Sequence, residues 1–66
     1  MPYIRIEKNG LQYEAEYFRE DNSVIIIGER GQSVVDVNGM TEESAARSAL
    51  RNLIREKQIN PQLEGQ

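Results

Sequence analysis

The apolar run Ser23-Val24-Ile25-Ile26-Ile27-Gly28 constrains the fold of this chain more than any other feature. Side chains of a β-strand alternate between the two faces of its sheet, so four consecutive apolar residues make both faces apolar. The rest of the chain predicts a single helix, and one helix covers one face. We therefore expect apolar surface on the second face, where it commonly marks a contact with a partner.

Three turn signals divide the first forty residues. Asn9-Gly10 is a strong signal for a type I′ hairpin, and Asp21-Asn22 and Arg30-Gly31 predict the second and third turns. The turns predict these cross-strand pairs: Ile6 with Tyr13, Ile4 with Ala15, Arg5 with Glu14, Tyr17 with Ile26, Phe18 with Ile25, Ile26 with Val35, Val24 with Val37 and Ile27 with Val34. All three registers define the same apolar face, made of Ile4, Ile6, Tyr13, Ala15, Tyr17, Val24, Ile26, Val35 and Val37.

The C-terminal third of the chain predicts an amphipathic helix. Thr41 is a suitable N-cap, and Glu42 and Glu43 favour the first turn through the helix dipole. The apolar residues recur at helical spacing, at Ala46, Ala49, Leu50, Leu53 and Ile54. The predicted fold is α+β: a four-stranded antiparallel β-meander with one C-terminal α-helix packed on one face (ββββα). We expect one domain over residues 1–58 and a flexible tail over 59–66, which has little to bury.

Composition excludes several classes of protein. The chain has 66 residues, no Cys and no His, which excludes disulfides and the usual zinc sites. No apolar stretch is long enough to span a membrane, and the N-terminal residues lack the layout of a signal peptide. We expect a cytoplasmic protein that uses no cofactor.

The residues predicted to face outward form an apolar group with an acidic rim. The group consists of Phe18, Ile25, Ile27 and Val34, and the rim around it consists of Glu7, Glu14, Glu16 and Asp36. An apolar centre with a charged rim is typical of a protein interface. Two alternatives are a solvated face kept soluble by its charge, and partial covering by the helix end or by Ile59 and Leu63 of the tail.

A second candidate site is the row Arg47, Arg51 and Arg55, spaced four residues apart along the helix. Such a row could hold phosphates, but Glu43 lies four residues before Arg47 and can pair with it. The net charge of −3 also disfavours direct binding of nucleic acid. No catalytic residues are predicted, because the usual bases and nucleophiles, His and Cys, are absent. Glu14, Glu16 and Asp36 are not a specific metal signal.

Small size, one compact domain, no cofactor residues and carboxylates grouped on a sheet face (Glu7, Glu14, Glu16 and Asp36) make this chain similar in character to small acidic inhibitor proteins of phages and mobile elements, including anti-CRISPR proteins. The resemblance implies a stoichiometric, non-enzymatic inhibitor that binds a nucleic-acid-handling complex and blocks its target site. Two alternatives remain: a homodimeric accessory protein that associates through the outer sheet face, and a weak nucleic-acid binder that uses the arginine row.

Overall fold

The computed structural model describes residues 2–62, which form four β-strands followed by one α-helix. The elements are β1 (Tyr3–Lys8), β2 (Leu11–Glu20), β3 (Ser23–Ile27), β4 (Gln32–Asp36) and α1 (Glu42–Arg55). The strands form one antiparallel sheet in the order β1-β2-β3-β4, and α1 packs on one of its faces. This architecture confirms the predicted ββββα fold. Among the described residues, α1 falls short of the length and apolar character that a membrane-crossing helix needs.

The first two hairpins have the registers that the sequence predicts. Asn9 and Gly10 both have positive φ, 55° and 79°, as a type I′ turn requires. The pairs along the first two hairpins include Ile4 with Ala15, Ile6 with Tyr13, Tyr17 with Ile26 and Phe18 with Ile25.

The predicted register of the third hairpin is wrong by two residues. Ile25 lies opposite Val34 and Ile27 opposite Gln32, whereas the sequence predicted that Ile27 would face Val34. Likewise Val24 pairs with Val35 rather than Val37, and Ile26 pairs with Ser33 rather than Val35. The connection is the four-residue segment 28–31, closed by a 2.7 Å hydrogen bond from Gly28 N to Gly31 O. Because the shift is even, every side chain keeps its predicted face.

The core lies between α1 and the predicted apolar face of the sheet. Five strand residues, Val37 directly after β4, and six helix residues are buried there, and three more strand residues pack against them. The buried residues are Ile4, Ala15, Tyr17, Val24, Ile26 and Val37, with Ala45, Ala46, Ala49, Leu50, Leu53 and Ile54 of the helix, and the three partly buried ones are Ile6, Tyr13 and Val35. Ser33 has the same strand parity as Val35 and also lies on this face, where its hydroxyl accepts a 3.3 Å hydrogen bond from Asn52 Nδ2. All nine predicted core-face residues therefore lie in or against the core.

Both ends of α1 are closed by local hydrogen bonds. Thr41 is the N-cap, as predicted, and its Oγ1 accepts a 3.0 Å bond from Ser44 N. At the other end, Gln58 N donates to Leu53 O at 2.9 Å and Lys57 N to Ile54 O at 3.1 Å. With Lys57 in the left-handed region at φ 58°, this is a Schellman motif. It turns the chain sharply away from the helix axis.

The segment that follows the motif packs against the sheet, which corrects the expectation that residues after 58 bury almost nothing. Ile59 is only 7% exposed and belongs to the core. Gln58 O accepts a 3.0 Å bond from Arg30 N, and Gln62 N donates to Gln12 O at 2.7 Å. Residues 59–62 therefore contact both β2 and the β3–β4 connection. Residues 63–66 of the predicted tail lie outside the described residues.

Two glycines of the β3–β4 connection lie against Gln58 in different ways, which yields a stability prediction. A Cβ added at Gly28 would lie 2.6 Å from the backbone oxygen of Gln58, whereas one at Gly31 would meet only the Gln58 side-chain amide. We expect Gly28→Ala to lower the free energy of unfolding by about 1–3 kcal/mol, because backbone must move. Gly31→Ala should stay within about 1 kcal/mol of the wild type, because the side chain can turn away. Urea denaturation of the two variants measures the difference, and equal losses would contradict the packing of Gln58 described above.

Candidate functional site

The outer face of the sheet carries a continuous apolar row across three strands. Phe18 on β2 pairs with Ile25 on β3, and Ile25 pairs with Val34 on β4. These side chains lie on the face opposite α1, since their neighbours in sequence point into the core. The register shift is what brings Ile25 and Val34 directly opposite each other, where cross-strand side chains are about 5 Å apart.

Ile27 extends this row at one end. It lies two residues from Ile25 on the same face and is 61% exposed, while Val34 is 51% exposed. Phe18 and Ile25 are half-buried. We call Phe18, Ile25, Ile27 and Val34 the outer apolar patch. Among the described residues it is not covered by the helix, as the sequence predicted for these four positions.

A cleft opens beside the patch where β2 and β3 separate. Their pairing ends at Tyr17 and Ile26, and beyond that point residues 58–62 lie between β2 and the β3–β4 connection. The cleft has a volume of about 410 Å³ and is lined by Phe18 and Ile27 of the patch, by Ala15, Gly28 and Ile59, and by the acidic residues Glu14, Glu16 and Glu29. Ile59 thus borders the patch but is itself part of the core. Leu63, the other tail residue expected near this face, lies outside the described residues.

The charge of the molecule is concentrated on this outer face. The alternation of the four strands places one base and five acids there: Arg5, Glu7, Glu14, Glu16, Glu20 and Asp36. The net charge of the face is therefore −4, against −3 for the whole chain. The remaining surface is close to neutral, so the negative potential of the protein is strongest over the outer face of the sheet.

The predicted rim residues have different surroundings. Glu14 is engaged on both carboxylate oxygens, by Arg5 Nη2 at 3.2 Å and by Gln62 Nε2 at 2.6 Å. Asp36 accepts a 3.1 Å bond from the Ser23 hydroxyl and remains exposed, and Glu16 is also exposed. Glu16 borders Phe18 along β2, and Asp36 borders Val34 along β4. These two carboxylates therefore flank the apolar row from opposite sides.

Glu20 is an outer-face acid that the sequence analysis did not include. It pairs with Ser23, which in turn pairs with Asp36, so Glu20 and Asp36 belong to one row across the sheet. This row runs directly beside the row of Phe18, Ile25 and Val34. The signal was available, because Glu20 has the same strand parity as Phe18 and directly precedes the Asp21-Asn22 turn.

The arginine row of α1 lies along the side of the helix that faces β1. Arg47 donates to Arg5 O at 3.5 Å and pairs with Glu43 at 3.1 Å, as its spacing predicted. Arg55 donates to Asn52 Oδ1 at 2.8 Å, and Arg51 is exposed beside it. The row borders a groove between the helix and β1, away from the outer apolar patch.

The acids of the outer face are spread along the sheet and do not converge on one point. Glu14 and Asp36 lie on strands separated by β3, and Asp36 is level with Glu20, six residues along β2 from Glu14. At about 3.3 Å per residue this separation is about 20 Å along the strand. No group of three acidic, His or Cys side chains in residues 2–62 is placed to hold a metal ion.

Comparisons of the chain with family models, with curated proteins and with solved structures found no match. The fold and the face together define an α+β protein of the ββββα type with an acidic sheet face that has an apolar centre.

The two neighbouring residues Ile26 and Ile27 provide a matched test of which face is free. Ile27→Asp should lower the free energy of unfolding by at most about 1 kcal/mol, because the side chain is 61% exposed. Ile26→Asp buries an unpaired charge, at a cost of about 3–5 kcal/mol, which is comparable with the whole stability of a domain this small. Circular dichroism during urea denaturation checks both. If Ile27→Asp is as unfolded as Ile26→Asp, Ile27 belongs to a covered surface.

Proposed function

We propose that this protein is a non-enzymatic binding module whose outer sheet face covers a basic surface on a partner protein. The observation that carries the proposal is the concentration of charge: the face has a net charge of −4 around an apolar row that the helix leaves exposed. In such an interface, the apolar row supplies affinity through burial and the acidic rim supplies orientation and association rate. The contact residues are Phe18, Ile25, Ile27 and Val34, with Glu14, Glu16 and Asp36 around them.

The charge of the face favours a different protein over a second copy as its partner. A homodimer formed face to face would oppose two surfaces that each carry −4, and like charges across an interface cost free energy. With a basic partner, the electrostatic interaction across the interface is attractive instead of repulsive. The exposed carboxylates that flank the apolar row, Glu16, Glu20 and Asp36, each gain a cation in such a complex.

The specific form of the proposal is a stoichiometric inhibitor of a nucleic-acid-handling complex. Basic protein surfaces that accept acidic partners are commonly those that bind phosphates. Along β2, the acids Glu14 and Glu16 are about 7 Å apart on the outer face and Glu20 follows beyond Phe18, so three carboxylates lie in one line along the strand. A protein that presents this line and an apolar anchor competes with nucleic acid for the same groove.

Affinity capture with a matched pair of variants tests this proposal. The tagged protein and the variant Ile27→Asp with Val34→Asp are expressed in the source cells, and bound proteins are identified by mass spectrometry. Met40→Asp is the control, because Met40 is also an exposed apolar residue, 39% exposed, but lies outside the sheet. We expect a partner that the wild type and Met40→Asp retain and that the double variant loses.

The captured partner is then purified, and its binding is measured with the isolated protein at increasing salt. The expected results are a 1:1 complex, an affinity that falls with salt, and displacement of nucleic acid from the partner in proportion to the protein added. Light scattering of the free protein should give a monomer. A partner that binds the double variant as tightly as the wild type would refute the role of this face, and binding that leaves the partner's nucleic acid in place would refute the inhibitor.

A further inference from the structure

A second surface, on the opposite side of the molecule from the outer apolar patch, combines an open strand edge with a basic groove. We propose that this surface, between β1 and α1, binds an acidic, extended peptide segment of a partner as an added strand. The proposal does not depend on the function proposed for the outer face, because the groove shares no residue with the outer apolar patch or with the rim residues Glu14, Glu16 and Asp36.

The backbone N–H and C=O groups of β1 point alternately to β2 and away from the sheet. Tyr17 N donates to Pro2 O at 3.1 Å, which identifies this position as a hydrogen-bonded pair of the β1–β2 ladder. Because such pairs alternate in an antiparallel ladder, the N–H and C=O groups of Ile4, Ile6 and Lys8 point to β2. Those of Tyr3, Arg5 and Glu7 point away from the sheet.

In the part of the chain that the structure describes, β1 is an edge strand of the sheet. The strand order begins with β1, so its outward groups have no neighbouring strand in residues 2–62. One of them is engaged by a side chain, since Arg47 Nη1 lies 3.5 Å from Arg5 O. This contact shows that the outward carbonyl accepts from donors on the helix side. An unpaired edge of this kind is a template on which an extended peptide can add a strand.

A groove between β1 and α1 runs beside this edge. It has a volume of about 350 Å³, and its walls are formed by Ile6, Glu7 and Lys8 of β1 and by Arg51, Ile54 and Arg55 of α1. Ile6 and Ile54 give it an apolar floor, while three cations and one acid give its walls a net charge of +2. A strand added to β1 would place alternate side chains over this floor and between these cations. Acidic and apolar residues are complementary to both.

The same features disfavour nucleic acid as the occupant. The groove walls contain no aromatic side chain on which a base could stack. Glu7 is one of the groove residues, and Arg47, the first arginine of the row, is already paired with Glu43 at 3.1 Å. A phosphate backbone would use the cations but neither the apolar floor nor the outward C=O groups of Tyr3 and Glu7, because a phosphodiester has no hydrogen-bond donor, whereas an acidic peptide uses all three.

Amide hydrogen exchange, measured by NMR on the full-length protein at low ionic strength, tests the proposal residue by residue. The probe is the acetylated, amidated octapeptide Asp-Asp-Val-Val-Asp-Asp-Val-Val, the Asp–Val peptide, which as a strand presents both Asp and Val on each of its faces. The same peptide with Lys in place of Asp, the Lys–Val peptide, and a short oligothymidylate are the comparisons. We expect the Asp–Val peptide to slow exchange at Tyr3, Arg5 and Glu7. The amides of Ile4, Ile6 and Lys8 should be protected with or without the peptide, because they already bond to β2.

Two variants with the same change in net charge separate the groove from the general electrostatics. Arg51→Glu should weaken binding of the Asp–Val peptide on the order of tenfold, because it replaces an attraction with a repulsion at the groove wall. Lys57→Glu, at an exposed residue that does not line the groove, should change it less than about twofold. Arg51→Gln removes the charge while keeping a good helix former, and should fall between them.

Three results would overturn the proposal. They are no added protection at Tyr3, Arg5 and Glu7 at saturating Asp–Val peptide, the same protection with the Lys–Val peptide, and shifts of the groove residues with oligothymidylate alone. The last would assign the arginine row to nucleic acid. Equal effects of Arg51→Glu and Lys57→Glu would show that the peptide responds to net charge and not to this groove.

Discussion

One constraint shapes this molecule: a sheet with apolar residues on both faces has a single helix to cover them. The helix packs on the face that carries Val24 and Ile26, and the burial of these residues with Leu50 and Leu53 forms the core. The row of Phe18, Ile25 and Val34 is left on the other face. An exposed apolar row lowers solubility unless charge surrounds it, and the same face carries five acids. The apolar centre and the acidic rim of the outer face therefore have the same cause, which is that the helix covers only the other face of the sheet.

The segment after the helix stabilises this arrangement without covering the outer face. The Schellman motif at Lys57 directs Gln58 to the β3–β4 connection, where its carbonyl accepts from Arg30 N and Gly28 leaves room for it. Ile59 then closes the core where β2 and β3 separate. In a domain of this size, where the net stability is typically about 3–5 kcal/mol, one more buried isoleucine is a substantial contribution. The same residue lines the cleft, which therefore lies beside the outer apolar patch, where β2 and β3 separate.

The sequence predicted the fold and the faces because those depend on local signals: the type I′ turn at Asn9-Gly10, strand alternation, and the helical stripe after Thr41. It missed the third register because it centred the turn on Arg30-Gly31, whereas the connection runs from Gly28 to Gly31 and is centred on Glu29-Arg30. Neither glycine has positive φ, and both are close to Gln58, a contact that no local window of sequence contains. Ile59 was missed for a related reason, since Lys57 adopts the left-handed conformation without the glycine that usually marks it. Because the register is shifted by two residues, the four residues of the outer apolar patch keep their predicted face. The residues opposite Ile25, Ile27 and Val34 in the β3–β4 pairing, however, differ from those predicted.

The central claim is that the outer apolar patch is open to solvent in the free protein. Methyl relaxation in the presence of a neutral, soluble paramagnetic agent tests it most directly, at several protein concentrations. The account predicts strong enhancement for the methyl groups of Ile27 and Val34, little for those of Val24 and Ile26, and no change with concentration. Equal protection of Ile26 and Ile27 at every concentration would show that the chain covers this face itself. Protection of Ile27 that grows with concentration would show that a second copy covers it.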